Sequence, residues 1–138
     1  MSDRDDIIDL AIAYAWALDT KKLEDLRAVF AADATATLRG VDCASVDEII
    51  ARIGGAVLRL DATQHLVGNH QVRVDGDTGR HRCQLQSQHV LAGTDGGDTF
   101  IVGGYYEDQV KRTPDGWRIA HRLMQQTWSS GNPNVVKR

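Results

Sequence analysis

The feature that most constrains this chain is a change of hydrophobic period near Thr63: apolar residues recur every three or four positions before it and every second position after it. Helices therefore come first and a sheet follows. Four β-like stretches, roughly Thr63 to Val74, Gly79 to Ala92, Thr99 to Arg112 and Gly116 to Thr127, are divided by Asp75-Gly76-Asp77, Thr94-Asp95-Gly96-Gly97 and Pro114-Asp115-Gly116. Dividers this short and this rich in turn residues join antiparallel neighbours. A strongly twisted antiparallel sheet has a concave face, which the amino-terminal helices are placed to cover. The expected fold is α+β: helices packed on a curved, mostly antiparallel sheet, forming a cone around a pocket.

The helical half reads in three pieces. From Asp3 to Asp19, Ile8, Ile12 and Ala15, and likewise Ile7, Ala11 and Leu18, follow the spacing of an amphipathic helix with an acidic first turn. Lys22 to Phe30 continues the pattern with Leu23, Leu26, Val29 and Phe30. Ala34 to Leu38 reads as a short strand, and Ser45-Val46-Asp47-Glu48 as a capping box that opens a third helix through about Leu58.

Length and composition narrow the class. With 138 residues the chain fits one domain spanning 1–138, large enough to bury a core without disulfides or metals. A net charge of −3 with scattered basic residues argues against a nucleic-acid partner. No apolar span predicts a membrane segment. The polar, acidic start, Met-Ser-Asp-Arg-Asp-Asp, lacks the features of a secretory signal, so a cytoplasmic location is expected. Cys43 and Cys83 stand in no short-spaced ligand set and are read as reduced packing residues. His70, His81 and His121 also follow no ligand spacing, so neither a metal site nor a cofactor is expected. There is no phosphate-binding glycine loop, no Gly-x-Ser-x-Gly elbow and no Cys/His nucleophile pattern.

The chemistry-bearing candidates are few. Asp19 extends the stripe Ile8, Ile12, Ala15, which turns its carboxylate toward the covered side, where it needs a partner. The bland alternative is a cap on the next helix. By alternation His65 shares a strand face with Val67 and, if the strand stays regular, Asn69; a histidine there is either a general base or a satisfied structural residue. His89 stands on the face of Cys83, Leu85, Ser87 and Leu91 and is a candidate for the same pocket. Tyr14, Trp16, Tyr106 and Trp128 can supply apolar walls with polar edges, with Tyr14 and Tyr106 as candidate donors. The opposite face of the second strand, Arg82, Gln84, Gln86 and Gln88, suits solvent or a flat contact between copies.

Several stretches carry a family resemblance across almost the whole chain: Ala-Trp-Ala-Leu-Asp-Thr-Lys-Lys-Leu-Glu-Asp-Leu from Ala15, Thr-Gln-His-Leu-Val-Gly-Asn from Thr63, Val-Asp-Gly-Asp-Thr from Val74, Gly-Tyr-Tyr-Glu-Asp from Gly104 and Gly-Trp-Arg-Ile-Ala-His-Arg from Gly116. The chain resembles the SnoaL-like branch of the nuclear transport factor 2 (NTF2-like, cystatin-like) superfamily. Within it, scytalone dehydratase, hexachlorocyclohexane dehydrochlorinase and bile-acid 7α-dehydratase use an Asp-His pair for elimination, and Asp19 and His65 match that pair in context. Tyr14 resembles the pocket tyrosine of the bile-acid enzyme, and His89 the second histidine of scytalone dehydratase. The Asp-Arg-Asp set of the limonene epoxide hydrolases is not apparent. The resemblance implies a cofactor-independent lyase in which His65 and Asp19 are catalytic and Tyr14 and His89 bind substrate; with Tyr106 and Trp128 as further candidate substrate-binding residues, the few fixed charges among the other pocket candidates point to a small apolar cyclic substrate such as a steroid, a polyketide or a cyclic aliphatic compound. Tyr14 or His89 would donate to the leaving group. The alternatives are a related isomerase or a non-catalytic binding or assembly module; the resemblance also implies a homodimer or homotrimer.

Overall fold

In a computed structural model, residues 2–137 are described. Helix α1 (Asp3–Asp19) starts on Ser2, whose Oγ accepts from the Asp5 backbone N–H, and buries Ile7, Leu10, Ala11, Tyr14, Ala17 and Leu18. Strands β1 (Phe30–Leu38) and β2 (Val41–Cys43) form a hairpin that leads into helix α2 (Val46–Val57). Strands β3 (Ala62–Asp75), β4 (Thr78–Val90), β5 (Thr99–Thr113) and β6 (Gly116–Gly131) follow, and a 3₁₀ turn, Pro133–Val136, ends the chain.

The six strands form one sheet in the order β2-β1-β6-β5-β4-β3, antiparallel throughout except where β1 runs parallel to β6. The helices cover one face, so the core lies between them and Leu85, Val102, Tyr106, Val110 and Met124. The expected α+β architecture is thus present. The second helix is not an α-helix: Leu23–Ala28 is a single 3₁₀ stretch without a side-chain cap. The chain then enters β1 early, because the Val29 carbonyl accepts from Ile119 and Phe30 pairs with Ile119. Pairing with β6 secures more backbone hydrogen bonds than another helical turn would.

Helix α2 begins as the capping box predicts. Ser45 Oγ accepts from the Glu48 N–H at 3.2 Å, and Glu48 reaches back to the Ala44 N–H at 2.8 Å. Ser45→Ala is expected to cost about 1 kcal/mol and lower the melting temperature by about 3 °C in a thermal unfolding scan, with no effect on the sheet.

Three β-bulges decide which residues face the helices. On β3, Gly68 pairs with Gln84 and Gln71 with Arg82, so Asn69 and His70 together oppose Cys83; Asn69 takes a left-handed φ of 55°. On β6 one bulge absorbs Ala120 between the pairs Val110–Ile119 and Gln109–His121. A second absorbs Thr127 between Gly104–Gln126 and Gly103–Trp128. Each extra residue reverses the inward and outward alternation beyond it.

Candidate active site

The carboxyl-terminal end of α1 is pinned to the start of β3. Lys21, in the left-handed region at φ 60°, turns the chain, and its Nζ donates to the Leu60 carbonyl at 2.6 Å. Asp19 is therefore held against β3, where three donors converge on it. Thr63 Oγ1 and the His65 ring Nδ1 reach its Oδ1 at 2.9 and 2.6 Å, and the His65 backbone N–H donates to Oδ2 at 2.8 Å. The side chains are 17% exposed for Asp19 and 7% for His65. Asp19 caps no helix, since the following 3₁₀ stretch has no side-chain cap. Its stripe also lies at the margin of the core, with Ile12 exposed on the β3 side.

Burial pushes the Asp19 carboxyl up, but the His65 ring, the His65 backbone N–H and Thr63 together outweigh it and leave the carboxyl below its ordinary value. An ionised carboxylate only accepts, so Nδ1 carries a ring proton, and in the neutral ring Nε2 keeps its lone pair. That is the tautomer a general base requires.

The His65 ring lines a cavity of about 180 Å³. Tyr14, His89 and Tyr106 line it too, as expected from the sequence, with Ser87, Met124 and Val136 completing much of the wall. The carboxyl-terminal turn thus closes the pocket: Val135 is fully buried, and its carbonyl accepts from Arg59 Nη2 at 2.9 Å.

Three expectations change here. Trp128 lies outside the cavity, 44% exposed, because the Thr127 bulge turns it to the other face, where its ring covers Gly103 so closely that a Cβ there would sit 1.9 Å from it. Asn69 does not share the His65 face; the bulge turns it outward to the Gln84 side chain and brings His70 inward. His89 is an acceptor rather than a donor. Its Nδ1 lies 2.9 Å from the Phe100 carbonyl, which fixes the proton on Nδ1, and burial foremost keeps the ring below the ordinary histidine value and neutral.

The cavity wall also contains cations that sequence patterning did not place there: Arg39 and Arg52 line it. Beneath it lies a buried network equally absent from the sequence reading. Arg122, with no exposure, donates through Nε and Nη2 to both oxygens of Asp108 at 2.8 and 2.9 Å, and Asp108 also accepts from His81 Nδ1 at 2.7 Å. The guanidinium carbon sits 4.3 Å from the Tyr14 ring centre and 3.9 Å from that of Tyr106. Among the described residues Arg122 Nη1 has no hydrogen-bond partner, and the two aromatic faces supply the negative potential it lacks. Burial raises both phenols above their ordinary value, so they stand in the pocket wall as neutral hydroxyls.

Residues 1–123 match a family model described as a SnoaL-like domain. An uncharacterized protein of Mycobacterium tuberculosis is 35% identical over 128 residues, covering 89% of this chain and 84% of that protein. Among solved structures, a candidate aromatic ring hydroxylase from Novosphingobium aromaticivorans superposes with a TM-score of 0.84 at 28% identity, covering 98% of this chain and 96% of that one. A candidate scytalone dehydratase from the same organism superposes with a TM-score of 0.81 at 20% identity, covering 91% and 85% of the two chains; this last likeness is one of fold.

Proposed function

This chain belongs to the SnoaL-like domain family, and from that membership and the geometry of its pocket we propose that it is a cofactor-independent lyase working through His65 and Asp19. The observation that carries the proposal is the 2.6 Å bond from the His65 ring to a carboxylate at the wall of a small, partly open cavity. In the proposed reaction His65 Nε2 takes a proton from a substrate carbon next to an acidifying group. The C–H pair becomes a C=C bond as hydroxide or halide leaves, and Asp19 stabilises the imidazolium formed. A leaving hydroxide recovers the proton from His65 as water; a halide leaves it to solvent. Tyr14 and Tyr106 are the neutral donors for a carbonyl oxygen or the leaving group, and His89 Nε2 accepts from a substrate hydroxyl.

Cavity size narrows the substrate. A cavity of about 150 Å³ holds one benzene, so about 180 Å³ takes a single substituted ring, with any larger part of a substrate in the open mouth of the pocket.

The test is mass spectrometry of wild type and His65→Ala incubated with halogenated and hydroxylated single-ring ketones. Loss of water or hydrogen halide with the wild type, reduced about 10²- to 10⁴-fold in the variant, supports the lyase. Equal ligand retention by both proteins without mass change returns Asp19 and His65 to a structural role in a binding module. Gain of an oxygen atom would instead align the chain with the Novosphingobium protein named as a hydroxylase.

A further inference from the structure

The β3 bulge creates a second cluster, on the inward face of the sheet and separate from the Asp19–His65 pair. Asn69, in a left-handed conformation unusual for a side-chain-bearing residue, supplies the extra position that turns His70 inward. His70 Nδ1 then lies 2.9 Å from His81 Nε2. Cys83, two residues beyond His81 on the same face of β4, completes a set in which one nitrogen or sulfur atom of each residue lies within 4.8 Å of the others. His81 and Cys83 are buried and His70 is half-buried, so the set has a route to solvent on the His70 side.

The proton positions follow from the bonding. Asp108 can only accept, so its 2.7 Å contact places a proton on His81 Nδ1, and in the neutral ring the Nε2 lone pair then faces His70. A carboxylate that orients a histidine so that its other nitrogen is free to ligate is the outer-shell arrangement of histidine metal sites. Asp108 is itself fixed by both Arg122 hydrogen bonds, so His81 is held in that orientation with or without a ligand.

We propose that His81 Nε2, His70 Nδ1 and Cys83 Sγ bind a divalent cation of the zinc class, with the fourth position open toward the His70 side. Two imidazoles and a thiolate suit zinc-class ions, and an all-oxygen preference excludes magnesium and calcium. On binding, His70 moves its ring proton from Nδ1 to Nε2, and the Cys83 thiol proton leaves for solvent. Tetrahedral geometry with bonds of about 2.0 Å places two ligating nitrogens roughly 3.3 Å apart. The two rings must therefore separate by a few tenths of an ångström from their present contact. The thiolate offsets half of the ion's charge, and the neighbouring Arg122–Asp108 pair is neutral in sum.

The experiment is a Co²⁺ titration of the full, untagged chain followed by Zn²⁺ competition. One equivalent of Co²⁺ should give tetrahedral visible bands with a thiolate charge-transfer band, both displaced by Zn²⁺. Cys83→Ser should abolish the charge-transfer band, and His70→Gln, at a half-buried position that the fold tolerates, should weaken Co²⁺ binding by about tenfold or more. His65→Ala should leave all of this unchanged. Absence of stoichiometric binding to the wild type would overturn the site, as would binding that His70→Gln leaves unaltered or a spectrum without a charge-transfer band.

Discussion

Asp108→Ala is expected to cost about 3–5 kcal/mol of folding stability, measured as a lowered urea midpoint, because it strands the Arg122 guanidinium in a site with no exposure. That is a large share of the roughly 5–15 kcal/mol that holds a domain together. The pair need not be stabilising in absolute terms. Replacing both partners with apolar groups, as in Asp108→Leu with Arg122→Met, should recover most of the loss, since no charge is then left buried. A double variant as unstable as the single one would show that Arg122 matters through its packing between Tyr14 and Tyr106 instead. Acidity provides a second readout. Burial raises the Asp108 carboxyl, but Arg122 and His81 outweigh it and hold it below its ordinary value. The contribution to stability is therefore complete above the unfolded value near pH 4 and is lost as pH falls through the folded one. The double variant should lose less stability than wild type below about pH 4.

The second large effect is expected from Asp19→Asn. Asp19 accepts from three donors, Thr63 Oγ1, the His65 N–H and the His65 ring. An amide offers one oxygen and one NH₂, so at least one of those donors meets another donor. The ring can relieve the conflict by moving its proton to Nε2, which removes the base from the cavity. Turnover should fall by about 10²- to 10⁴-fold, with about 1–3 kcal/mol lost in stability from the unsatisfied group. Nitrogen NMR of the histidine ring tests the cause without a substrate: Nδ1–H in wild type, Nε2–H in the variant. An unchanged tautomer with unchanged turnover would remove Asp19 from the mechanism.

The Asp19–His65 pair was legible in the sequence because each residue sits where regular structure is unbroken, at the last turn of α1 and before the first bulge of β3. The misplacements share one physical origin. Alternation along β3 puts Asn69 inward, and the bulge replaces it with His70. Arg122, which the sequence analysis assigned to no face, is hidden by the same effect: alternation from Trp117 and Ile119 leaves it outward, and the Ala120 bulge brings it in. Alternation from Met124 puts Trp128 inward, and the Thr127 bulge sends it out. Bulges leave almost no mark in composition, so a period of two read along the strand fails beyond each of them. The signal available was weak: Asp108 stands in the same alternation as Tyr106 and Val110, a carboxylate on an otherwise apolar strand face that needed a cation from a neighbouring strand.

The pairing of β1 with β6 has a consequence for how the chain is made. Thr35 can find His121 only after every intervening strand has been synthesised, which at ribosomal speed takes on the order of ten seconds. Until then β1 has only β2 beside it, and the inward side chains Ala34, Ala36 and Leu38 depend on α2 and the 3₁₀ stretch for cover. Sheet closure is accordingly a late event limited by long-range contacts. A nascent chain stalled before β6 would expose an unpaired strand edge to its neighbours on the same message.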